Sequence, residues 1–254
     1  MFIGTVTFRA VITNNGLKFP SCEFNPDQAS VEKGVGKVVI ESRSGYEILS
    51  TVHLDGVATE RAGRAIANTV LTAVLDRIAF QYSLAIEDSQ IVSSWFDYVS
   101  PLPGAEVHPH SGELAIIEKQ VGLVYGIPAA DLKAVLERTT LSGEPFFSSY
   151  RLALQSRSPV EKFMHLYSLL LRFFEDEQTT VDDFIRSQDP AVLQSAAPRP
   201  GHSNRETVYT RLRNESAQRR PDVNMQDTKA EIEQHLGGLI GLVKQAIALQ
   251  DTIR

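Results

Sequence analysis

The hydrophobic pattern of the chain changes partway along, and this change limits the folds that the chain can adopt. Segments 6–12 and 46–54 alternate apolar and polar side chains, the two-residue period of a half-buried strand. Further short strands are expected near 38–40, 90–98 and 114–117. From 148 onward no convincing strand pattern appears. The sequence therefore predicts an α+β chain, with a mixed α/β domain at 1–147 followed by an all-α helical bundle at 148–254.

The first half also contains one long amphipathic segment. Apolar residues at three- and four-residue spacing, among them Ile66, Val70 and Ile78, run through 59–86. This spacing predicts a long helix that packs one face on the strands. A shorter helix is expected after Pro128.

Helix-start signals dominate the second half. Ser158-Pro159-Val160-Glu161 combines an N-cap serine, a proline at the first helical position and a glutamate at the third. We also expect Thr180 to cap a short helix and capping boxes at 203–206 and 228–231 to open two more. These signals predict an antiparallel bundle of about four helices, in which Gly237 and Gly238 let a neighbouring helix approach closely.

Composition excludes several classes of protein. The single cysteine, Cys22, cannot form an internal disulfide, and no basic leader or membrane-length apolar run is present. We therefore expect a cytoplasmic protein without a membrane partner. The formal net charge of −6 also argues against a general nucleic-acid coat.

The negative charge is not evenly distributed. Segment 199–220 contains six arginines and two glutamates, a sum of +4, so the rest of the chain sums to −10. Such a basic segment on an acidic body indicates a local anion site. A solvated, arginine-rich helix face is the alternative.

Other candidate sites are weaker. Gly34, Gly36 and Lys37 have neither the glycine spacing nor the following hydroxyl residue of a phosphate-binding loop. His108 and His110 lack nearby partners that would complete a metal site, and no G-x-S-x-G motif is present. We therefore expect neither a metal nor a cofactor.

Segment 208–221 remains the best candidate. On a helix, Arg211, Asn214 and Gln218 form one polar strip, while Arg213 lies on the adjoining face one turn after Tyr209. Arginine matches phosphate oxygens, and an aromatic ring can stack on a base. The predicted RNA-contact residues outside the Arg213–Asn214–Gln218 motif are Tyr209, Arg211, Arg219 and Arg220.

The motif Arg213-Asn214-x-x-x-Gln218, late in a helical bundle, resembles the R-N-x-x-x-H motif of the HEPN superfamily. Ser149-Tyr150-Arg151, the apolar helix at 159–174 and the long final amphipathic helix fit the same setting. The resemblance covers 148–254 and is to bacterial HEPN proteins of the ApeA-like and MauJ-like kind.

This resemblance implies metal-independent RNA cleavage by a homodimer, in phage defence or as a toxin. Two bundles would pair so that both motifs line one groove. The ribose 2′-hydroxyl would attack the scissile phosphate, with Arg213 holding that phosphate and Asn214 ordering the site. Residues 1–147 would then sense a ligand or bind a protein partner.

One position departs from the family pattern. Gln218 stands where the family has its histidine, and a carboxamide cannot act as a general acid or base. Such catalysis is worth about 10²–10⁴-fold, so we expect weak or absent turnover. A non-enzymatic module that binds RNA, a nucleotide or a protein, and a purely structural dimerisation bundle, remain alternatives.

Overall fold

The chain forms two compact units, Met1–Leu141 and Ser142–Arg254, which we call unit 1 and unit 2. The computed structural model describes residues 1–99, 110–111, 123–137, 144–195, 206–217 and 224–249. The predicted boundary at 147/148 falls inside a helix that begins at Glu144, so the division lies a few residues earlier. The strand expected at 114–117 lies outside the described residues.

Unit 1 is a mixed α/β unit, which confirms the predicted class. Its strands are β1 (Phe2–Val11), β2 (Gly16–Lys18), β3 (Cys22–Phe24), β4 (Val35–Arg43), β5 (Glu47–Val57), β6 (Gln90–Tyr98), β7 (His110–Ser111) and β8 (Val124–Gly126). Its helices are α1 (Gln28–Glu32), α2 (Glu60–Tyr82) and α3 (Ala129–Leu136). An antiparallel sheet has the order β3-β4-β5-β1-β6-β7, and β2 pairs with β8 in a separate parallel sheet.

The chain passes from β5 through α2 to β6, so the helix crosses over the strand between them. Both β5 and β6 pair antiparallel with β1 and therefore run parallel to each other. The 23 residues of α2 span about 35 Å, which matches the length of the long strands. Its inner face buries the following residues against the sheet: Gly63, Ala67, Leu71, Val74, Leu75, Ile78 and Ala79.

Alternating side chains of β1 form the centre of this core. Val6, Phe8, Ala10 and Ile12 are all buried, as their shared parity predicts. The alternate residues Thr5 and Thr7 lie on the opposite face and are only partly buried. The two-residue period therefore assigned the correct face of this strand to the core.

Unit 2 is helical. It contains α4 (Glu144–Gln155), α5 (Pro159–Phe173), α6 (Gln178–Gln188), α7 (Val208–Ala217) and α8 (Met225–Leu249). Helix α5 packs against the other four, which is why it is apolar nearly all round. The described part of unit 2 therefore has five helices, one more than the bundle of about four that the sequence predicted.

Helix starts were predicted well at one site and wrongly at others. The Ser158 hydroxyl caps α5 by accepting from the backbone N–H of Glu161, as predicted. Thr180 instead lies inside the first turn of α6, and Thr228 lies inside α8, which begins at Met225. The Thr228 hydroxyl donates to Glu215 of α7, so a tertiary contact uses the group that the pattern assigned to a cap.

None of the helices in the described part of the chain is both long enough and apolar enough to cross a membrane.

We expect Gly4→Ala to destabilise unit 1 by about 1–3 kcal/mol or more. A methyl group at Gly4 would overlap the backbone carbonyl oxygen of Trp95 on β6, which cannot move without disturbing the sheet. Trp95 is the only tryptophan, so its fluorescence during urea denaturation reports on unit 1.

Gly36→Ala is the matched control for this prediction. A Cβ at Gly36 would meet only the carbonyl oxygen of His53, at 3.8 Å, so the change should cost less than about 0.5 kcal/mol. Equal unfolding free energies for the two variants would contradict the packing described here.

Candidate functional site

Helix α7 is anchored at its start by a buried polar cluster. Oδ1 of Asp182, on α6, accepts hydrogen bonds from the Thr207 backbone N–H at 3.1 Å and from the Thr207 hydroxyl at 2.6 Å. The Thr210 hydroxyl donates to the same oxygen at 2.6 Å. Since that hydroxyl has one proton, the Tyr167 hydroxyl donates to the Thr210 oxygen, also at 2.6 Å. We call Tyr167, Asp182, Thr207 and Thr210 the anchor cluster.

The anchor cluster corrects the predicted start of this helix. Glu206 was expected at the third position of the helix, in a capping box with Ser203. It instead precedes α7, and the Thr207 hydroxyl accepts from the Thr210 backbone N–H at 3.4 Å. Ser203 lies outside the described residues. Thr207 therefore caps the helix and also ties it to α6.

Asn214 connects this anchored end to Arg213. Its side chain is buried, with 8% of the residue exposed, and its amide donates to Glu206 at 3.1 Å. Its carbonyl oxygen accepts from Nη1 of Arg213 at 3.0 Å. Glu206 directly precedes Thr207 of the anchor cluster. The anchor cluster therefore fixes Glu206, Glu206 holds the Asn214 amide, and that amide contacts the Arg213 guanidinium.

Arg213 is partly buried and lacks a carboxylate partner within the described residues. Its Nε is fully buried and forms no hydrogen bond there. A buried donor without an acceptor costs roughly 1–3 kcal/mol, so the unpaired Nε is a local cost of this arrangement. Arginine is well suited to phosphate because its planar fork can donate two parallel hydrogen bonds.

Arg211 occupies a different environment from the one that the sequence suggested. Its guanidinium pairs with Glu215 one turn later at 2.9 Å and with Glu231 of α8, and its Nε donates to Ser195. These partners neutralise its charge and connect α7 to α8. The predicted RNA-contact role of Arg211 is therefore not supported by this geometry, in which the residue acts as a helix-to-helix connector.

Tyr209 is packed into the bundle, with 5% of the residue exposed. Its ring stacks on Phe163 with centroids 6.5 Å apart and contacts His235 edge-on at 5.7 Å. The expected stacking of an RNA base on this ring would require the ring to leave its packed position. As the chain is folded here, Tyr209 cannot provide that exposed surface.

Gly238 makes the position of Tyr209 possible. A Cβ at Gly238 would overlap the Tyr209 hydroxyl, so α7 and α8 could not approach as they do with any larger residue. This is the close approach that the glycine pair predicted. Burial raises the pKa of Tyr209, and the nearby charge of Asp189 raises it further.

The other predicted site residues, Gln218, Arg219 and Arg220, lie outside the described residues. The described part of α7 ends at Ala217. Of the proposed catalytic motif, the structure thus brings together Arg213 and Asn214. No cluster of three or more residues able to hold a metal occurs in the described ranges.

The sequence did not identify the anchor cluster or the role of Glu206. Asp182 lies 25 residues before Thr207, and neither residue has a distinctive local pattern. Thr207 followed three residues later by Thr210 is the one local pattern that could have pointed to the cluster.

Comparisons with models of known protein families, with curated proteins and with solved structures find no match to this chain. Membership of the HEPN superfamily therefore stays a prediction from the motif and its position in the bundle.

The anchor cluster predicts a specific dependence on alkaline pH. Burial raises the pKa of Tyr167 well above its ordinary value, so the folded state favours the neutral phenol. The resulting stabilisation is complete below about pH 10, the pKa of an unfolded tyrosine, and is lost as pH rises above it.

Tyr167→Phe should therefore weaken the pH dependence of unit 2 stability by about 1.4 kcal/mol per pH unit between about pH 10 and about pH 12. Urea denaturation followed by circular dichroism of the helices measures this slope. Tyr98→Phe, at an exposed position on β6, is the control and should leave the slope unchanged. Identical slopes for Tyr167→Phe and the unaltered chain would show that the phenol is not held neutral.

Proposed function

We propose that unit 2 is a HEPN-type module that binds RNA through Arg213 and cleaves it only weakly in this chain. The observation that carries the proposal is the pair of hydrogen bonds made by Asn214, one to Arg213 and one to Glu206. These bonds hold a guanidinium that, within the described residues, hydrogen-bonds Asn214 alone. A preorganised arginine with unused donors is what a phosphate clamp requires.

The chemistry would be an attack of the ribose 2′-hydroxyl on the adjacent phosphorus. The P–O5′ bond breaks, which leaves a 2′,3′-cyclic phosphate on one fragment and a 5′-hydroxyl on the other. Arg213 would stabilise the negative charge that develops on the phosphate oxygens. A general base and acid would normally remove and return the proton, and Gln218 can do neither, so turnover would be low.

The charge distribution agrees with a narrow RNA site. Arg211 is neutralised by two glutamates, so it adds little to the field at the surface. Arg213 has no such partner within the described ranges and is the arginine of α7 whose charge remains to attract an anion.

We further propose that the active form is a homodimer that joins two copies of unit 2, with phage defence or toxicity as its biological setting. Unit 1 would then sense a ligand or partner. Its sheet offers a half-exposed face, on which Lys37, His53, Thr5 and Trp95 lie side by side across four strands.

A second candidate function is RNA or nucleotide binding without catalysis. Gln218 favours it, because a site that retains the phosphate clamp and lacks a proton-transfer group can bind without cleaving. Both candidates require Arg213 and differ only in whether a restored histidine confers cleavage.

The test compares Gln218→His with the double variant Gln218→His/Arg213→Ala. The first should cleave single-stranded RNA in the presence of a metal chelator and leave 2′,3′-cyclic phosphate ends. The second should lose at least about 10²-fold of that activity. Arg157→Ala in the same Gln218→His background is the matched control, since it removes an exposed arginine of unit 2 outside α7.

Each outcome separates the candidates. Cleavage that depends on Arg213 and not on Arg157 supports the ribonuclease. Salt-dependent RNA binding that is lost in Arg213→Ala, with no cleavage after Gln218→His, supports the binding module instead. RNA binding and cleavage that are both absent, or both indifferent to Arg213, would overturn the two candidates together.

A further inference from the structure

A small cavity opens beside α7, on the side where Tyr209 meets α8. Its volume is about 200 Å³, below the about 300–1,000 Å³ of pockets that hold drug-sized ligands. It would therefore accommodate one flat ring system rather than a larger molecule. The lining residues come from the end of α6, from α7 and from α8: Gln188, Asp189, Tyr209, Gly238, Gly241, Leu242 and Gln245.

Glycine provides the space for this cavity. A Cβ at Gly241 would meet no atom within 4 Å, so the surface of α8 is open at that point. At Gly238 the neighbouring space is filled by the Tyr209 hydroxyl instead. Gly241, which has no side chain, and Leu242 therefore form the part of the lining against which a planar group could lie.

Two polar side chains that line the cavity have hydrogen-bonding groups without partners in the described residues. Tyr209 is 95% buried, lines the cavity, and its hydroxyl has no hydrogen-bond partner among the described residues. Asp189 accepts from the backbone N–H of Ala191 through Oδ1 at 3.1 Å, which leaves lone pairs on both carboxylate oxygens. An unpaired hydroxyl on a residue that lines a cavity can donate a hydrogen bond to a ligand there, or accept one.

We propose that this cavity binds a guanine base. Guanine is the common nucleobase that presents two adjacent N–H donors, N1–H and N2–H, on one edge, and these match the two oxygens of the Asp189 carboxylate. The Tyr209 hydroxyl can donate to a carbonyl or ring nitrogen of the same base. Leu242 and the glycine surface contact its face.

The position of the cavity relates it to the phosphate clamp. Tyr209 and Arg213 are separated by four residues on α7, which places their Cβ atoms about 5–6 Å apart on one face. A nucleotide whose base occupies the cavity would thus bring its phosphate toward Arg213. This link to RNA rests on the proposed function, whereas base binding itself does not.

The test uses the full chain with 5′-GMP and 5′-IMP, which differ only in the N2 amino group. Isothermal titration calorimetry should show GMP binding about tenfold or more tightly than IMP, the effect of one lost charge-assisted hydrogen bond. Asp189→Asn should remove that difference. Tyr209→Phe, which keeps the ring packed on Phe163, should weaken GMP binding about two- to tenfold.

Two glycine variants of α8 provide a matched pair. Gly241→Leu fills the cavity and should abolish GMP binding, whereas Gly237→Leu enters open space away from the cavity lining and should leave it unchanged. Both changes replace a helical glycine with a better helix former, so neither should unfold unit 2.

Failure of the guanine site and failure of the proposed RNA-binding function would give different results. No GMP binding, equal affinity for GMP and IMP, or GMP binding that persists in Gly241→Leu would overturn the guanine site. Failure of the proposed function would instead appear as RNA binding that is indifferent to Arg213→Ala while the preference for GMP persists. A short RNA with one guanosine is compared with its inosine analogue. Tighter binding of the guanosine RNA indicates that the base belongs to RNA, and equal binding indicates a free nucleotide.

Discussion

The orientation of Arg213 depends on a buried carboxyl group on another helix. Oδ1 of Asp182 receives three hydrogen bonds from Thr207 and Thr210, at the first turn of α7. Burial of a carboxylate is costly unless hydrogen bonds compensate it, and these three bonds do so at Oδ1. Because Glu206 directly precedes Thr207, the same cluster places the carboxylate that holds Asn214, and Asn214 in turn holds Arg213. Two other side chains of α7 hold the helix in place. Arg211 connects it to α8, and Tyr209 fills the space above Gly238.

Local patterns in the sequence predicted most of the secondary structure. The two-residue period identified β1 and β5 with the correct buried face, and the three- to four-residue spacing identified α2. Ser158 was identified as a cap because its partner, the Glu161 backbone N–H, lies three residues away. In each case the residues that determine the structure are close together in the chain.

The site was less predictable because its contacts are distant in sequence. Arg211 was predicted to contact RNA, but Glu231, 20 residues later, pairs with it. The ring of Tyr209 was predicted to stack on an RNA base, but Phe163 and Gly238 enclose it from two other helices. Thr228 has the composition of a cap and bonds Glu215 instead. A polar or aromatic side chain on a helix has several possible partners, and the local sequence cannot select among them.

Whether Arg213 contacts phosphate can be measured from ¹H–¹⁵N spectra of the arginine Nε–H groups during titration with an uncleavable 2′-O-methyl RNA. Arg213→Lys identifies the Arg213 signal by its absence. If Arg213 is the phosphate clamp, its Nε–H signal will shift saturably as RNA is added, while that of exposed Arg157 stays in place. RNA binding that leaves the Arg213 signal unmoved would show that Arg213 is not the phosphate clamp.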